Sequence, residues 1–155
     1  MDARSKEELK NRVIRIVAAT RFPFVDQKDW GSDYVTITND EDKKIRGIAG
    51  PIGYVYPSIV VTMANTDIQE IGEVETDETV GEAQVPKWRL MSEAAGIGRR
   101  TKKFFMYVPE GKEGIAERLL EENGIEYAGL RTWAVRDGSL VVTPVKTPDD
   151  PKDHR

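Results

Sequence analysis

The chain contains no cysteine and only one histidine, His154, among its 155 residues. The missing thiols exclude disulfides, cysteine-based zinc sites and thiol nucleophiles. A single histidine cannot build a multi-histidine zinc site, and at the penultimate position it is a poor candidate for a Ser-His-Asp triad. Any chemistry must therefore use carboxylates, lysines, hydroxyl groups or a hard metal ion.

Long apolar runs are also absent. None approaches the roughly 20 residues of a membrane-spanning helix. The first ten residues are polar and charged, unlike the apolar stretch of a secretory signal. We therefore expect a cytoplasmic protein with no membrane partner.

An excess of positive charge is missing as well, since the formal net charge is −4. Proteins that clamp nucleic acid tightly and without sequence preference are usually basic, so the overall charge argues against that class. A local basic patch remains compatible with it.

The composition that is present is that of a globular protein, with 39% hydrophobic and 32% charged residues. A chain of this length suits one domain with one substantial core. We predict a single α/β domain over residues 1–145. The last ten residues, 146–155, carry two prolines and many charges, which predicts a disordered tail.

Helices and strands alternate along the chain. We predict helices over residues 5–19, 79–95 and 110–123, and strands over 34–38, 56–63, 68–76, 103–108, 125–135 and 139–145. Ser5 and Glu8 suit a capping box at the start of the first helix. Interleaved helices and strands predict a mixed sheet covered on both faces.

Strands 56–63 and 68–76 are close enough to form a hairpin. With the turn centred between Asn65 and Thr66, Ser58 faces Glu73 and Tyr56 faces Glu75. Residues two apart on a strand project to the same face, so Glu73 and Glu75 emerge together. Two such carboxylates repel each other, and a divalent cation is their natural occupant.

The segment Tyr56–Val61 (YPSIVV), followed by Gly72–Thr76 (GEVET) and a helix, resembles the PD-(D/E)xK nuclease superfamily. That superfamily carries Pro-Asp on one strand and Glu-x-Lys on the next. The predicted element order also matches its restriction-endonuclease-like α-β-β-β-α-β core, over about Ser5–Trp133.

The resemblance implies a nuclease that uses Mg²⁺ or Mn²⁺ and acts on DNA or RNA. It places Glu73, Glu75 and Ser58 at the metal, with Glu73 and Glu75 also catalytic. Gln84 occupies the place of the polar residue on the helix that follows.

Two positions depart from the superfamily pattern: Ser58 replaces the aspartate and Glu75 replaces the lysine. Some restriction endonucleases of the superfamily carry Glu-x-Glu, so the second change has precedent there. Lys87 on the next helix is our candidate for the missing positive charge. The candidates for the missing acid are Glu70, Asp67, Asp77 and Asp33.

Each candidate also has a simpler explanation. Glu73 and Glu75 would suit the solvated face of an amphipathic strand, and Ser58 a small core position. Gln84 and Lys87 would suit a helix surface. A basic cluster lies at residues 99–103, after the second predicted helix, and consists of Arg99, Arg100, Lys102 and Lys103. This basic cluster would suit phosphate binding or a solubilising loop equally well.

Three functions stay open from the sequence. The first is a metal-dependent nuclease. The second is a nuclease-fold module without catalysis that binds nucleic acid or a protein partner. The third is a structural or interaction domain, in which the aromatic residues Phe22, Phe24 and Trp30 form a homodimer or partner contact.

Overall fold

The computed structural model describes residues 2–22, 34–40, 44–51, 53–63, 67–95 and 103–148. Within these ranges the helices are α1 (Ala3–Arg21), α2 (Val85–Ala94) and α3 (Glu113–Glu122). The strands are β1 (Tyr34–Thr38), β2 (Ile48–Gly50), β3 (Gly53–Val55), β4 (Ile59–Met63), β5 (Asp67–Val74), β6 (Phe104–Pro109), β7 (Gly129–Arg136) and β8 (Ser139–Lys146). The predicted α/β class is confirmed.

Six strands form one mixed sheet in the order β1-β4-β5-β6-β7-β8, and β2 and β3 form a separate hairpin. β1, β4 and β5 are antiparallel neighbours, whereas β5, β6 and β7 run parallel. β8 returns antiparallel to β7. β5 therefore lies inside the sheet, where strands are covered on both faces.

The sheet is covered on both faces, as predicted. Helices α2 and α3 pack on one face, the α2/α3 face, whose core includes Val60, Ile71, Trp88, Met91, Met106, Leu119 and Leu120. Helix α1 packs on the other, the α1 face, whose core includes Val13, Ile14, Val17, Ile59, Val74 and Phe105. Neighbouring residues of β4 and β5 therefore belong to different cores.

The predicted β4–β5 register is confirmed where it matters for the site. Ile59 pairs with Gly72, and Val61 pairs with Glu70. Beyond Val61 an irregularity shifts the register, so that Thr62 pairs with Ile68. The predicted pairing of Tyr56 with Glu75 is wrong. β4 begins only at Ile59, so Tyr56 lies outside the β4–β5 ladder.

Two local predictions differ from the structure at helix starts. Asp2 rather than Ser5 caps α1, because the Asp2 carboxylate accepts a hydrogen bond from the Ser5 N–H at 2.8 Å. α2 begins at Val85 rather than Thr79, after a 3₁₀ turn over Glu82–Gln84. Pro86 lies in the first turn of α2, where a missing N–H costs little.

Two turns contain residues with positive φ, whereas the turn predicted at Asn65 and Thr66 lies outside the described residues. Gly124 follows α3 with φ of 63°, the left-handed conformation that a helix end favours. Asp137 and Gly138 join β7 to β8 with φ of 52° and 79°, as a two-residue hairpin turn requires.

β8 ends at Lys146, where the sequence predicts the tail to begin. Its ammonium group forms ion pairs with Glu121 at 2.8 Å and Glu117 at 3.6 Å, which attach the strand to α3. Residues 149–155 lie outside the described residues. Within the described ranges, no helix is long and apolar enough to cross a membrane.

Candidate metal and catalytic site

Ser58 and Glu73 meet at the end of the β4–β5 ladder, as the register predicts. Ser58 lies just before β4, and Glu73 lies near the end of β5. The Ser58 N–H donates to Glu73 Oε1 at 2.8 Å, and the Ser58 hydroxyl donates to the same oxygen at 2.5 Å. The hydroxyl also accepts a hydrogen bond from the Val74 N–H at 3.0 Å. Ser58 therefore holds Glu73 in one orientation.

Glu73 is buried, with 7% of the residue exposed, and the two oxygens of its carboxylate have different surroundings. Within the described residues, both hydrogen bonds that it accepts end on Oε1. The Ser58 hydroxyl uses its one proton on Oε1 and one of its two lone pairs on the Val74 N–H. In the part of the chain that the structure describes, no hydrogen bond reaches Oε2.

Glu75 follows β5 by one residue, at the carboxyl edge of the parallel strands. Its N–H donates to the Tyr107 carbonyl at 2.9 Å, and its own carbonyl accepts from the Trp133 indole at 3.0 Å. The carboxyl edge of parallel strands is where open α/β sheets bind their ligands. Hydrogen bonds to β6 and from β7 thus fix the main chain at Glu75.

The Glu75 side chain is 3% exposed and lies on the same face as Glu73. Burial raises its pKa to about 8, and the negative charge of Glu73 adds to that rise. The Thr79 hydroxyl, the Lys10 ammonium and the Trp88 indole partly offset it. At neutral pH Glu75 therefore carries a proton for most of the time.

Trp88 contributes a buried donor to this region from α2. Its side chain is fully buried in the core of the α2/α3 face. Among the described residues, its indole N–H finds no hydrogen bond of ordinary geometry, although it lies near enough to Glu75 to favour the ionised carboxylate. An ionised Glu75, or a ligand acceptor beside it, would satisfy this donor.

The cation that acts on Glu75 is Lys10, which the sequence interpretation missed. A signal was present: Lys10 lies three and seven residues before the buried Val13 and Val17, at helical spacing. The ion pair between Lys6 and Glu78 also ties the start of α1 to the segment after β5.

The other predicted site residues lie apart from the two acids or outside the described ranges. Lys87 is exposed on α2, and the interactions of Glu75 do not include it. Gln84 is half-buried in the 3₁₀ turn, where its N–H donates to the Gly81 carbonyl at 3.1 Å. Lys103 is half-buried, and its carbonyl accepts from the Ile71 N–H at 3.0 Å. Arg99, Arg100 and Lys102 lie outside the described residues.

The acids proposed as replacements for the missing aspartate do not complete a metal site within the described residues. Strand alternation directs Glu70 to the face opposite Glu73, and Asp67 starts β5 at its far end. Asp77 is exposed, and Asp33 lies outside the described residues. In the described part of the chain, no three histidine, aspartate or glutamate side chains are grouped to hold a metal.

Of the aromatic residues considered for a dimer contact, only Phe22 can be placed. It is buried against Phe105 and Tyr107, with ring centroids 5.7 and 6.4 Å away. Phe24 and Trp30 lie outside the described residues.

Fold and site together define an α/β protein with a six-stranded mixed sheet and a buried pair of acids at its carboxyl edge. Comparison with protein families, with curated proteins and with solved structures found no match to this chain.

Proposed function

We propose that this chain is a nuclease-like protein of the PD-(D/E)xK superfamily, which binds Mg²⁺ or Mn²⁺ at Glu73 and Glu75 and hydrolyses phosphodiesters in DNA or RNA. The observation that carries the proposal is the burial of two electrostatically coupled carboxyl groups on one face of an interior strand. Burying such a pair costs free energy that a bound cation would recover.

The fold supports the proposal through the order of its elements. α1, β1, β4, β5, α2 and β6 follow one another as α-β-β-β-α-β, with the β2–β3 hairpin inserted after β1. This is the element order of the restriction-endonuclease-like core. Ser58, just before β4, and Glu73, on β5, are the residues that we align with the Pro-Asp and Glu-x-Lys acids of that core.

The donor set fits a hard divalent ion that keeps several water ligands. Mg²⁺ is usually held by one or two carboxylates, with water and substrate phosphate completing the shell. Glu73 Oε2 and the Glu75 carboxylate would hold it here. When bound, the ion would polarise the phosphodiester and lower the pKa of a bound water.

The protein's own groups prepare Glu75 for this role. Binding requires the ionised carboxylate, and the Lys10 ammonium and the Trp88 indole N–H both favour that form. A pKa near 8 also lies close to the range in which a carboxylate takes and returns a proton efficiently. Glu75 would thus act as ligand or as general base, while Ser58 positions Glu73.

Cleavage assays test the proposal directly. Plasmid, single-stranded DNA and RNA are incubated with Mg²⁺ or Mn²⁺, and Glu73→Gln and Glu75→Gln serve as isosteric controls purified in the same way. We expect cleavage by the wild type and a loss of at least a hundredfold in Glu73→Gln. Equal cleavage by the wild type and both variants would contradict the proposal.

A second function, binding without catalysis, is favoured by the presence of the neutral Ser58 where the superfamily carries an aspartate. The Ser58 hydroxyl donates to Glu73 and accepts from Val74, which leaves one neutral lone pair, a weaker metal ligand than a carboxylate. The alternative predicts nucleic-acid binding that weakens steeply with salt, with no cleavage. Reversing the charges of the basic cluster (Arg99, Arg100, Lys102 and Lys103) should abolish that binding.

Ser58→Asp separates the two functions. An aspartate at this position adds the acid that the superfamily carries, so Mn²⁺ affinity measured by calorimetry should rise about tenfold or more. Cleavage that appears only in Ser58→Asp would identify the wild type as a binding module. Unchanged Mn²⁺ affinity would reject the assignment of residue 58 to the metal site.

A further inference from the structure

Lys10 differs from the other basic residues between positions 4 and 15 of α1. Each of the others has a partner: Arg4 pairs with Glu8, Lys6 with Glu78 and Arg15 with Asp40, and Arg12 donates to the Gly138 carbonyl. Lys10 is half-buried, and within the described residues its ammonium group has neither a hydrogen bond nor an ion pair. Partial burial of an ammonium group without an acceptor costs free energy that a bound anion would recover.

The packing of α1 brings Lys10 to Glu75. Two contacts tie α1 to the chain on either side of Glu75, namely the ion pair of Lys6 with Glu78 and the shared α1-face core of Val13 and Val74. Lys10 follows Lys6 by four residues and precedes Val13 by three, so all three lie on one side of the helix. Lys10 is therefore placed opposite Glu75, between the two contacts.

Lys10 and Glu75 are near each other without a direct bond. The ammonium group acts on the Glu75 carboxyl group through its charge, and not through a hydrogen bond. The two groups approach from different elements, α1 and the end of β5. A ligand oxygen that enters beside Glu75 would therefore meet an ammonium group that no described acid already occupies.

The charges of the proposed site balance once Lys10 and a phosphodiester are counted. The carboxylates of Glu73 and Glu75 together neutralise one divalent ion. Lys10 then leaves one positive charge beside them. A phosphodiester group carries one negative charge and neutralises it, and hydrogen bonds between an ammonium group and a phosphate oxygen are among the strong ones.

We propose that the Lys10 ammonium group binds a non-bridging oxygen of the phosphodiester that lies against Glu73 and Glu75. Lys10 thereby makes α1 part of the substrate site and orients the phosphate beside the acids. The inference rests on the proposed function and adds a substrate contact to it. The candidate from the sequence was Lys87, but Lys87 is exposed on α2 and is not among the groups that act on Glu75.

A comparison of one charged and one neutral ligand tests the contact through binding alone. The probes are a dye-labelled thymidine dinucleotide, which has a single phosphodiester, and its uncharged methylphosphonate analogue. Fluorescence anisotropy measures their binding in Ca²⁺, and chromatography confirms that the linkage stays intact. We expect Lys10→Met to weaken binding of the phosphodiester roughly tenfold or more, and to change binding of the methylphosphonate by less than about twofold.

Two further variants serve as controls. Lys10→Arg keeps the positive charge and should bind the phosphodiester within about threefold of the wild type. Lys87→Met removes an exposed lysine from α2 and should leave the binding of both probes unchanged. Circular dichroism and thermal unfolding confirm that each variant is folded.

The inference is overturned if Lys10→Met binds the phosphodiester as well as the wild type does, or if the wild type does not bind it. It is also overturned if Lys10→Met weakens both probes equally, because the lysine would then act only through the acids. Cleavage that depends on Glu73 but not on Lys10 would refute the inference alone. Binding of the phosphodiester that depends on Lys10, without cleavage of any substrate, would refute the catalytic proposal alone.

Discussion

At the scale of single residues, the two acids Glu73 and Glu75 have different surroundings. Ser58 supplies two hydrogen bonds to Glu73, whereas burial and the Glu73 charge raise the pKa of Glu75 to about 8. The contact of Ser58 with Glu73 is predictable, because strand period and a short turn determine it. The influence of Lys10 is harder to foresee, since it depends on where α1 crosses the sheet.

Ser58→Ala should lower the free energy of unfolding by about 2 kcal/mol. The variant leaves Glu73 Oε1 without its hydroxyl donor and the buried Val74 N–H without its acceptor, and unsatisfied buried groups cost roughly 1–3 kcal/mol. Chemical denaturation measures the change. Ser139→Ala, at the exposed start of β8, is the matched control and should change stability by less than about 0.5 kcal/mol. A neutral Ser58→Ala would show that the hydroxyl does not hold Glu73.

Glu75→Gln should remove a pH dependence of stability. With a pKa of about 8 in the folded state and an ordinary value near 4.5 in the unfolded state, Glu75 keeps a proton on folding that the unfolded chain has lost. Stability should therefore fall as pH rises from about 4.5 to 8, by roughly 1.4 kcal/mol per pH unit at most. Above pH 8 both states are ionised and the loss is complete.

Denaturation curves collected between pH 5 and 9 measure this slope in the wild type and in Glu75→Gln. Other shifted groups act outside this window. Burial raises the pKa of Asp40, but the hydrogen bonds from Thr38, Arg15 and the Asp40 main chain, together with the Arg15 charge, lower it overall, so its contribution is lost only in acid. The variant should be flat across the window and more stable than the wild type at pH 8. A wild type with no slope would show that Glu75 is not buried as a neutral acid.

At the scale of elements, local pairings could be predicted and distant ones could not. The β4–β5 register and the β7–β8 turn follow from short segments, namely the strand pattern and Asp137-Gly138. The parallel neighbours β5, β6 and β7 are joined through helices, so strand period alone does not reveal their order. The β2–β3 hairpin was missed, because its three-residue strands are too short for periodicity to detect.

Asn39→Ala should loosen the β2–β3 hairpin more than the sheet. The buried Asn39 side chain donates to the Arg46 and Pro57 carbonyls and accepts from the Ile45 and Arg46 N–H groups at 2.9 and 3.1 Å. Loss of these contacts should cost about 2–4 kcal/mol in total. Hydrogen exchange should accelerate across β2 and β3 well before it does in β5 and β6.

Asn123→Ala is the matched control for this prediction. Its side chain donates one hydrogen bond to the Leu119 carbonyl at the end of α3, at 2.7 Å. We expect a cost below about 1 kcal/mol, with no change of exchange in the hairpin. Uniform acceleration throughout the sheet in Asn39→Ala would mean that the asparagine supports the whole fold instead of one element.

At the scale of the whole molecule, two cores on opposite faces of one sheet hold an acid pair that is costly without a cation. The folded state should therefore gain stability from Mn²⁺, because the ion binds a site that the unfolded chain lacks. The ion must displace the proton that Glu75 carries below pH 8, so binding should release about one proton and strengthen as pH rises.

The shift in Tm caused by 1 mM Mn²⁺ should be several degrees larger at pH 8 than at pH 6. Calorimetry in buffers of different ionisation enthalpy counts the proton. Glu75→Gln should lose both effects, whereas equal shifts at the two pH values would place the bound ion away from Glu75.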